Sequence, residues 1–408
     1  MVPHKSIGIP LRSEGVRYPR LMALTAIALT ATNLRTAVTA LAPLVSEIQD
    51  DLRVGASLFG VLGMIPTAMF AIAAFALPGL KSRFTTSQLL MAAMLVTAAG
   101  QVLRVLGGPT SLVGGSVVAL FAIGITNALL PLAVREYFPN RVAGMSTTYL
   151  TTSQIAQSLA PVMAVPLSAW ATQMGLSGWR WSLGSWAVLG VLAALTWLPL
   201  LTTPAPRADV AAPVPAMRIP VWRTPVGIGL GLMFGFTSFT TYSLMTFLPQ
   251  MVTDPTLGAA LLGWWSLLGI PLNFIGPWVA ARMRNPYPVL VLSSVVFLVG
   301  NAGLCFAPMV APWLWTTLSG LGPLAFTMAL TLINVRARTT AGATALSSFG
   351  QGLAYTIACM GPLLTGIIVD ITGGFSTVFI LFLVATACVL GGGFFATRQV
   401  HVEDQARD

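Results

Sequence analysis

The chain has 408 residues, of which 56% are hydrophobic and only 8% charged, and soluble domains are about a quarter charged. That balance, with a mean hydropathy of +0.83, excludes a soluble multidomain protein. The net charge of +10 reflects membrane topology and implies no nucleic-acid partner, because a nucleic-acid binder gathers its basic residues on one soluble face.

The first 20 residues carry Pro3, Pro10, Pro19 and four basic residues. They hold no short apolar core followed by a small-residue cleavage site, so they read as a retained cytoplasmic tail. Charged residues then divide the chain into eleven apolar blocks of 20 residues or more. These are 21–46 (interrupted only by Arg35), 54–80, 84–103, 105–134, 142–179, 181–206, 224–253, 255–281, 285–335, 339–369 and 371–397. Each is long enough to cross a hydrocarbon core of about 30 Å at ~1.5 Å per residue. The ninth block is twice the length of one span, and Ala307-Pro308 with Ala311-Pro312 breaks it in two. The sequence therefore predicts an all-α polytopic membrane protein with twelve transmembrane helices. The alternating strands of about ten residues that mark an outer-membrane barrel are missing.

Between the sixth and seventh helices, Pro204 to Pro215 is polar and proline-rich and reads as a linker. Ile65-Pro66 recurs as Ile270-Pro271, Pro43 as Pro249, and Val134-Arg135 as Val335-Arg336, at offsets of 205, 206 and 201. A nearly constant offset predicts two pseudo-symmetric six-helix bundles, 21–201 and 224–397, joined by the linker 202–223 and flanked by tails 1–20 and 398–408. Parallel repeats of this kind suit a transporter that rocks two bundles around a central site.

Basic residues in short loops stay in the cytoplasm. With the N-terminus inside, seventeen Lys and Arg fall on the cytoplasmic side and three, Arg53, Arg104 and Arg180, outside. Both termini are then cytoplasmic, in the inner membrane of the cell.

The acidic residues all sit at helix ends or in loops, and His4 and His401 are in the tails. An embedded enzyme needs a general base, a metal-ligand set or a paired nucleophile inside the bundle. The sequence offers none, so no enzyme, cofactor or metal is expected, and Cys305, Cys359 and Cys388 suit neither a disulfide nor a metal site.

Arg35 is the one charge in mid-helix. Placing it in hydrocarbon costs ~2.5 to 3.5 kcal/mol or more, so it must face the bundle interior. Its guanidinium either receives an anionic or polar solute or ties down backbone carbonyls near Pro43 and Pro66. Asn33 and Thr39 flank it, Thr39 one turn away on the same face. Asn127 one turn before Pro131, Gln154 with Gln157, Tyr242, Asn273, and Gln351 with Tyr355 are further candidates for a polar pocket, against the alternative of interhelical glue. Trp264, Trp265 and Trp278 read as interface anchors, and Phe234, Phe236, Phe239 and Phe247 as packing residues. Glu47 and Asp370 are the nearest carboxylates that could carry a coupling proton.

Asn33-Leu34-Arg35-Thr36 followed by Pro43, the run from Pro131 to Pro139 leading to Gly144 and Tyr149, and Gln351 to Tyr355 with Gly361-Pro362 and Gly366 resemble the cyanate permease and 2-nitroimidazole exporter family of the major facilitator superfamily. The resemblance covers essentially the whole chain. It implies a twelve-helix facilitator fold with alternating access, a small polar or anionic solute contacted by Asn33 and Arg35, and Tyr149 as a further candidate. The family continues Asn-Leu-Arg with proline; Thr36 stands here, which predicts a helix uninterrupted at that point. The loop Gly79-Leu-Lys-Ser-Arg83 lacks the aspartate of the superfamily's cytoplasmic motif. A monomer is expected, since one chain holds both halves. An exporter of neutral or anionic drugs, using an aromatic and Met-rich wall, is the alternative.

Overall fold

The computed structural model describes residues 17–201 and 220–405. The first sixteen residues, most of the expected linker and the last three residues lie outside that range. Among the described residues every regular element is helical.

The first half holds α1 (Arg17–Thr39), α2 (Val45–Leu52), α3 (Ala56–Lys81), α4 (Thr86–Leu103), α5 (Pro109–Tyr137), α6 (Val142–Gln173), α7 (Gly178–Ser185) and α8 (Ala187–Trp197). The second holds α9 (Pro225–Phe247), α10 (Pro255–Arg282), α11 (Tyr287–Phe306), α12 (Pro312–Ser319), α13 (Leu324–Val335), α14 (Thr340–Thr372), α15 (Val378–Ala396) and α16 (Val402–Gln405). Eleven segments are long and apolar enough to cross a membrane. The twelfth long helix, α6, has 32 residues, about 48 Å of helix, and carries Ser153, Gln154, Gln157 and Ser158 in one stretch. The break expected in the ninth block falls between Phe306 and Pro312.

Local chemistry sets the ends. Thr85 and Gln88 close a capping box on α4. Thr224 and Asp254 cap α9 and α10 just ahead of Pro225 and Pro255, prolines at the one helical position where a missing N–H is harmless. Gly373, at φ 72°, ends α14 in the left-handed region that glycine enters without strain.

The repeat is visible in the elements. Pro43 lies in a 3-10 turn, Ala42–Leu44, and Pro249 in another, Leu248–Met251, each closing the first long helix of its half. The two turns meet. Pro66 and Pro271 sit inside α3 and α10, and Arg135 and Arg336 end α5 and α13. As Thr36 predicts, α1 runs through that position to Thr39.

Successive long helices alternate in direction, so one face of the molecule gathers the start of α1 and the end of α15, and the other the Pro43 and Pro249 turns; we call these the terminal and the far face. The halves meet along α3 with α14 and α6 with α10. Glycines allow the close approach: a Cβ on Gly60 would stand 2.7 Å from the Pro362 carbonyl oxygen, and one on Gly366 2.7 Å from that of Ala56. The described hydrogen bonds between halves run from mid-span, at Thr67 with Cys359 (2.9 Å) and Gln154 with Ser266 (2.5 Å), to the far face at Asp370. Toward the terminal face, Phe75 of α3 is 87% exposed.

Of the segment 398–408, expected as a tail, the described part, 398–405, is docked. The Val402 N–H donates to Arg336 O. Glu403 accepts from the N–H groups of Arg338 and Thr339 and from the Thr339 hydroxyl, at 2.9 to 3.1 Å. Gln405 accepts from the Val226 N–H, so α16 straps the starts of α9 and α14 together.

Candidate functional site

Arg35 lies one turn before the end of α1, near the middle of the membrane span Leu21–Leu52, and is half-buried. Among the described residues its guanidinium has no hydrogen bond and no ion pair, since the salt bridges are Lys81–Glu136, Arg180–Asp51, Arg338–Asp404 and His401–Asp404. No backbone carbonyl saturates it. Across the seam, Tyr355 of α14 stands within electrostatic reach of both Arg35 and Tyr242 of α9. The Tyr355 ring packs edge-on to Phe234 at 5.9 Å, and Phe234 to Phe326 at 4.9 Å. A free cation of one half thus lies within electrostatic range of a phenol of the other, and that phenol is backed by an aromatic wall. Such a group can receive an anion or a strongly polar acceptor.

The remaining candidates separate. Asn33 is fully buried, donates to Leu29 O at 3.1 Å and leaves its Oδ1 without a partner. Thr39, also fully buried, gives its hydroxyl to the carbonyls of Arg35 and Gln157. Tyr149 packs in the core of the first half. Gln154 donates across the seam to Ser266 O, and Gln157 to the Ser266 hydroxyl at 3.4 Å, so this pair joins the halves. Gln351 donates to the Ser347 hydroxyl on its own helix. Asn127 is half-buried and Asn273 exposed, and no side-chain hydrogen bond is described for either.

Both coupling candidates are at the far face, away from Arg35. Glu47 in α2 accepts from the Ser168 hydroxyl at 2.5 Å. Asp370 reaches across the seam, one carboxylate oxygen on the Ala56 N–H at 2.6 Å and the other on the Ser57 N–H at 2.7 Å. A carboxylate there caps the positive end of α3 and pins the two halves together. Of the tryptophans, Trp278 is exposed as an anchor would be, whereas Trp265 is buried in the core of the second half.

Arg104, expected in an external loop, is 2% exposed, and its Nη1 donates to Ala37 O at 2.9 Å. Composition gave no signal for this: the residue ends an apolar block, and a block's end does not say which way its last side chain points. Ser266 was missed because contacts across the seam leave no periodic trace, and Phe326 because its contact with Phe234 joins two helices of the second half that are distant in sequence.

The sequence profile of the Major Facilitator Superfamily matches residues 24–359. The chain belongs to that superfamily. Three transporters are similar to it over nearly their whole length. These are the uncharacterized transporter YycB of Bacillus subtilis (strain 168), 28% identical over 90% of this chain and 91% of that protein, and the 2-nitroimidazole transporter of Escherichia coli (strain K12), 29% identical over 88% and 90%. The third is the cyanate transport protein CynX of the same organism, 25% identical over 86% and 91%. Among solved structures, a bacterial homolog to the human lysosomal transporter Spinster, in an inward-facing and occupied conformation, superposes with a TM-score of 0.77 at 15% identity, covering 96% of this chain and 99% of that one. The superfamily and these relatives are transporters, and the facilitator fold expected from the sequence is present.

Proposed function

We propose that this member of the superfamily is a secondary or facilitative transporter of a small anionic or strongly polar solute, received at Arg35 and passed across the inner membrane by alternating access. The observation that carries the reading is the unpartnered, half-buried guanidinium at mid-span, within electrostatic range of Tyr355 across the seam. An unpaired charge in a membrane protein is costly, and a solute that neutralises it gains that energy on binding. The names of two relatives, a 2-nitroimidazole and a cyanate transporter, supply solutes of the matching chemistry.

The basic loops put the terminal face in the cytoplasm. The seam closed at the far face is then the inward-open arrangement, and the solute exchanges between Arg35 and the cytoplasm. To open outward, the Asp370 carboxylate must leave the Ala56 and Ser57 N–H groups. Asp370 is therefore the better candidate for proton coupling, because its protonation weakens a contact that alternation has to break. Glu47 is bonded within its own half.

The aromatic wall of Phe234, Phe326 and Tyr355 favours a second reading, export of neutral or anionic aromatic compounds such as nitro-aromatics. A thermal-shift screen of cyanate, other small anions, nitro-aromatics and cationic dyes, run on the protein and on Arg35→Gln, tests both. A ligand at a hundred times its dissociation constant stabilises by about 2.7 kcal/mol. Greater stabilisation of the unmodified protein than of Arg35→Gln, by anions or nitro-aromatics, is the expected result; equal stabilisation of both proteins removes Arg35 from the site.

A further inference from the structure

Arg104 presents a second cation that the transport reading does not use. It follows α4 and turns inward, 2% exposed, between α1, α3 and α5. One hydrogen bond is described for its guanidinium, Nη1 to Ala37 O. Nε is buried without a partner, and none is described for Nη2. The edge formed by Nε and Nη2 is the one that grips an oxyanion in parallel. No carboxylate pairs with it among the described residues. Burial lowers the pKa of Arg104 only to about 10, so the group is cationic at neutral pH. One carbonyl does not offset the several kcal/mol of taking a charge out of water.

A narrow cavity opens beside it, lined by Leu41, Gly63, Pro66, Ser116 and Thr246 as well as Arg104. Its walls are mostly apolar. Such a wall disfavours strongly hydrated ions and accepts weakly hydrated ones. Gly63 and Pro66 belong to α3 and Thr246 to α9, so the cavity reaches the seam between the halves. Ala37, which holds the guanidinium, stands two residues beyond Arg35 on α1.

We propose that Arg104 forms a second anion site, separate from Arg35, that takes one small, weakly hydrated monovalent anion in this cavity on the far side of the seam. The site stands on the buried charge and does not depend on what Arg35 receives. Its ligand is either a resident inorganic anion or the transported solute waiting behind the closed gate.

Equilibrium binding of radiolabelled thiocyanate to the full-length protein in nanodiscs tests the site, in the unmodified protein, Arg35→Gln, Arg104→Gln and Arg104→Lys. Arg35→Gln should keep one saturable site, and Arg104→Gln placed in that background should abolish it. Arg104→Lys keeps the charge but not the two-pronged edge, and should weaken binding about tenfold or more. It decides the question if the Gln variant does not fold. No saturable binding in Arg35→Gln, or affinity untouched by either change at 104, overturns the proposal. Competition by the solute identified in the transport assay then separates the two sources: displacement marks a waiting solute, and its lack a resident anion. Loss of binding in Arg35→Gln with transport of the unmodified protein intact would sink this site while sparing the transport reading.

Discussion

Arg35 has no described bond to lose, so replacing it with glutamine removes an unpaired charge and nothing that holds the fold. The melting temperature of Arg35→Gln should equal or exceed that of the unmodified protein. Arg336 makes the opposite case. Its buried guanidinium donates to Ala396 O and Thr397 O at 3.1 and 2.7 Å, and Arg336→Gln leaves two carbonyls unsatisfied at about 1 to 3 kcal/mol each. A clear fall in melting temperature is expected there, read in the same thermal ramp. The isolation of Arg35 in a run of apolar residues made it legible in the sequence. Its neighbour was less so: Tyr355 was named as a polar residue, but its approach to Arg35 depends on the seam. Thr39 and Gln154, named by type, give their donors to backbone carbonyls, since a hydroxyl or amide in a helix is as readily satisfied by a neighbouring backbone as by a solute.

Two short connections between elements lend themselves to direct test. At the far face the Asp370 carboxylate holds the first N–H groups of α3. Asp370→Asn keeps the shape but loses the charge, weakening the closure by about 1 to 3 kcal/mol, enough to populate the outward-open form severalfold more. Labelling of cysteines placed along the far ends of α3 and α14, in a background without the native cysteines, should become faster; an unchanged rate would remove Asp370 from the gate. At the terminal face α16 depends on Glu403. Partial burial raises its pKa, and hydrogen bonds from Arg338 and Thr339 overcome this, holding the carboxyl below the ordinary 4.5. A carboxylate with a depressed pKa contributes stability that is full above the unfolded value and lost as pH falls through the folded one. Acidification from the ordinary 4.5 down through that depressed pKa should therefore free α16 and speed hydrogen exchange at the Thr339 and Gly342 amides, while Glu403→Gln exchanges fast at neutral pH already. The strap was not legible because a short, mostly polar stretch after a helix end reads as tail, and only the distant loop at 336–339 and the start of α9 give it partners.

For the whole molecule, the helices were the most legible part, because a span needs a minimum length of apolar sequence and a charge interrupts it. The repeat was legible at Pro43 and Pro249, where proline ends a helix by removing a donor. Packing across the seam was not, since glycines such as Gly60 gain meaning only from what approaches them. Gly60→Val would drive a side chain into the Pro362 carbonyl, where a Cβ alone would stand at 2.7 Å. The far face should open, lengthening the distance between spin labels at Ser46 and Thr253 measured by electron double resonance; unchanged distances would mean that this seam does not set the closed state. Solute flux into proteoliposomes tests the central claim most directly, with the unmodified protein, Arg35→Gln and empty vesicles compared for cyanate and 2-nitroimidazole. Saturable flux by the unmodified protein, and flux at the empty-vesicle level for a folded Arg35→Gln, is the result this structure predicts. Equal flux by the two proteins would contradict it.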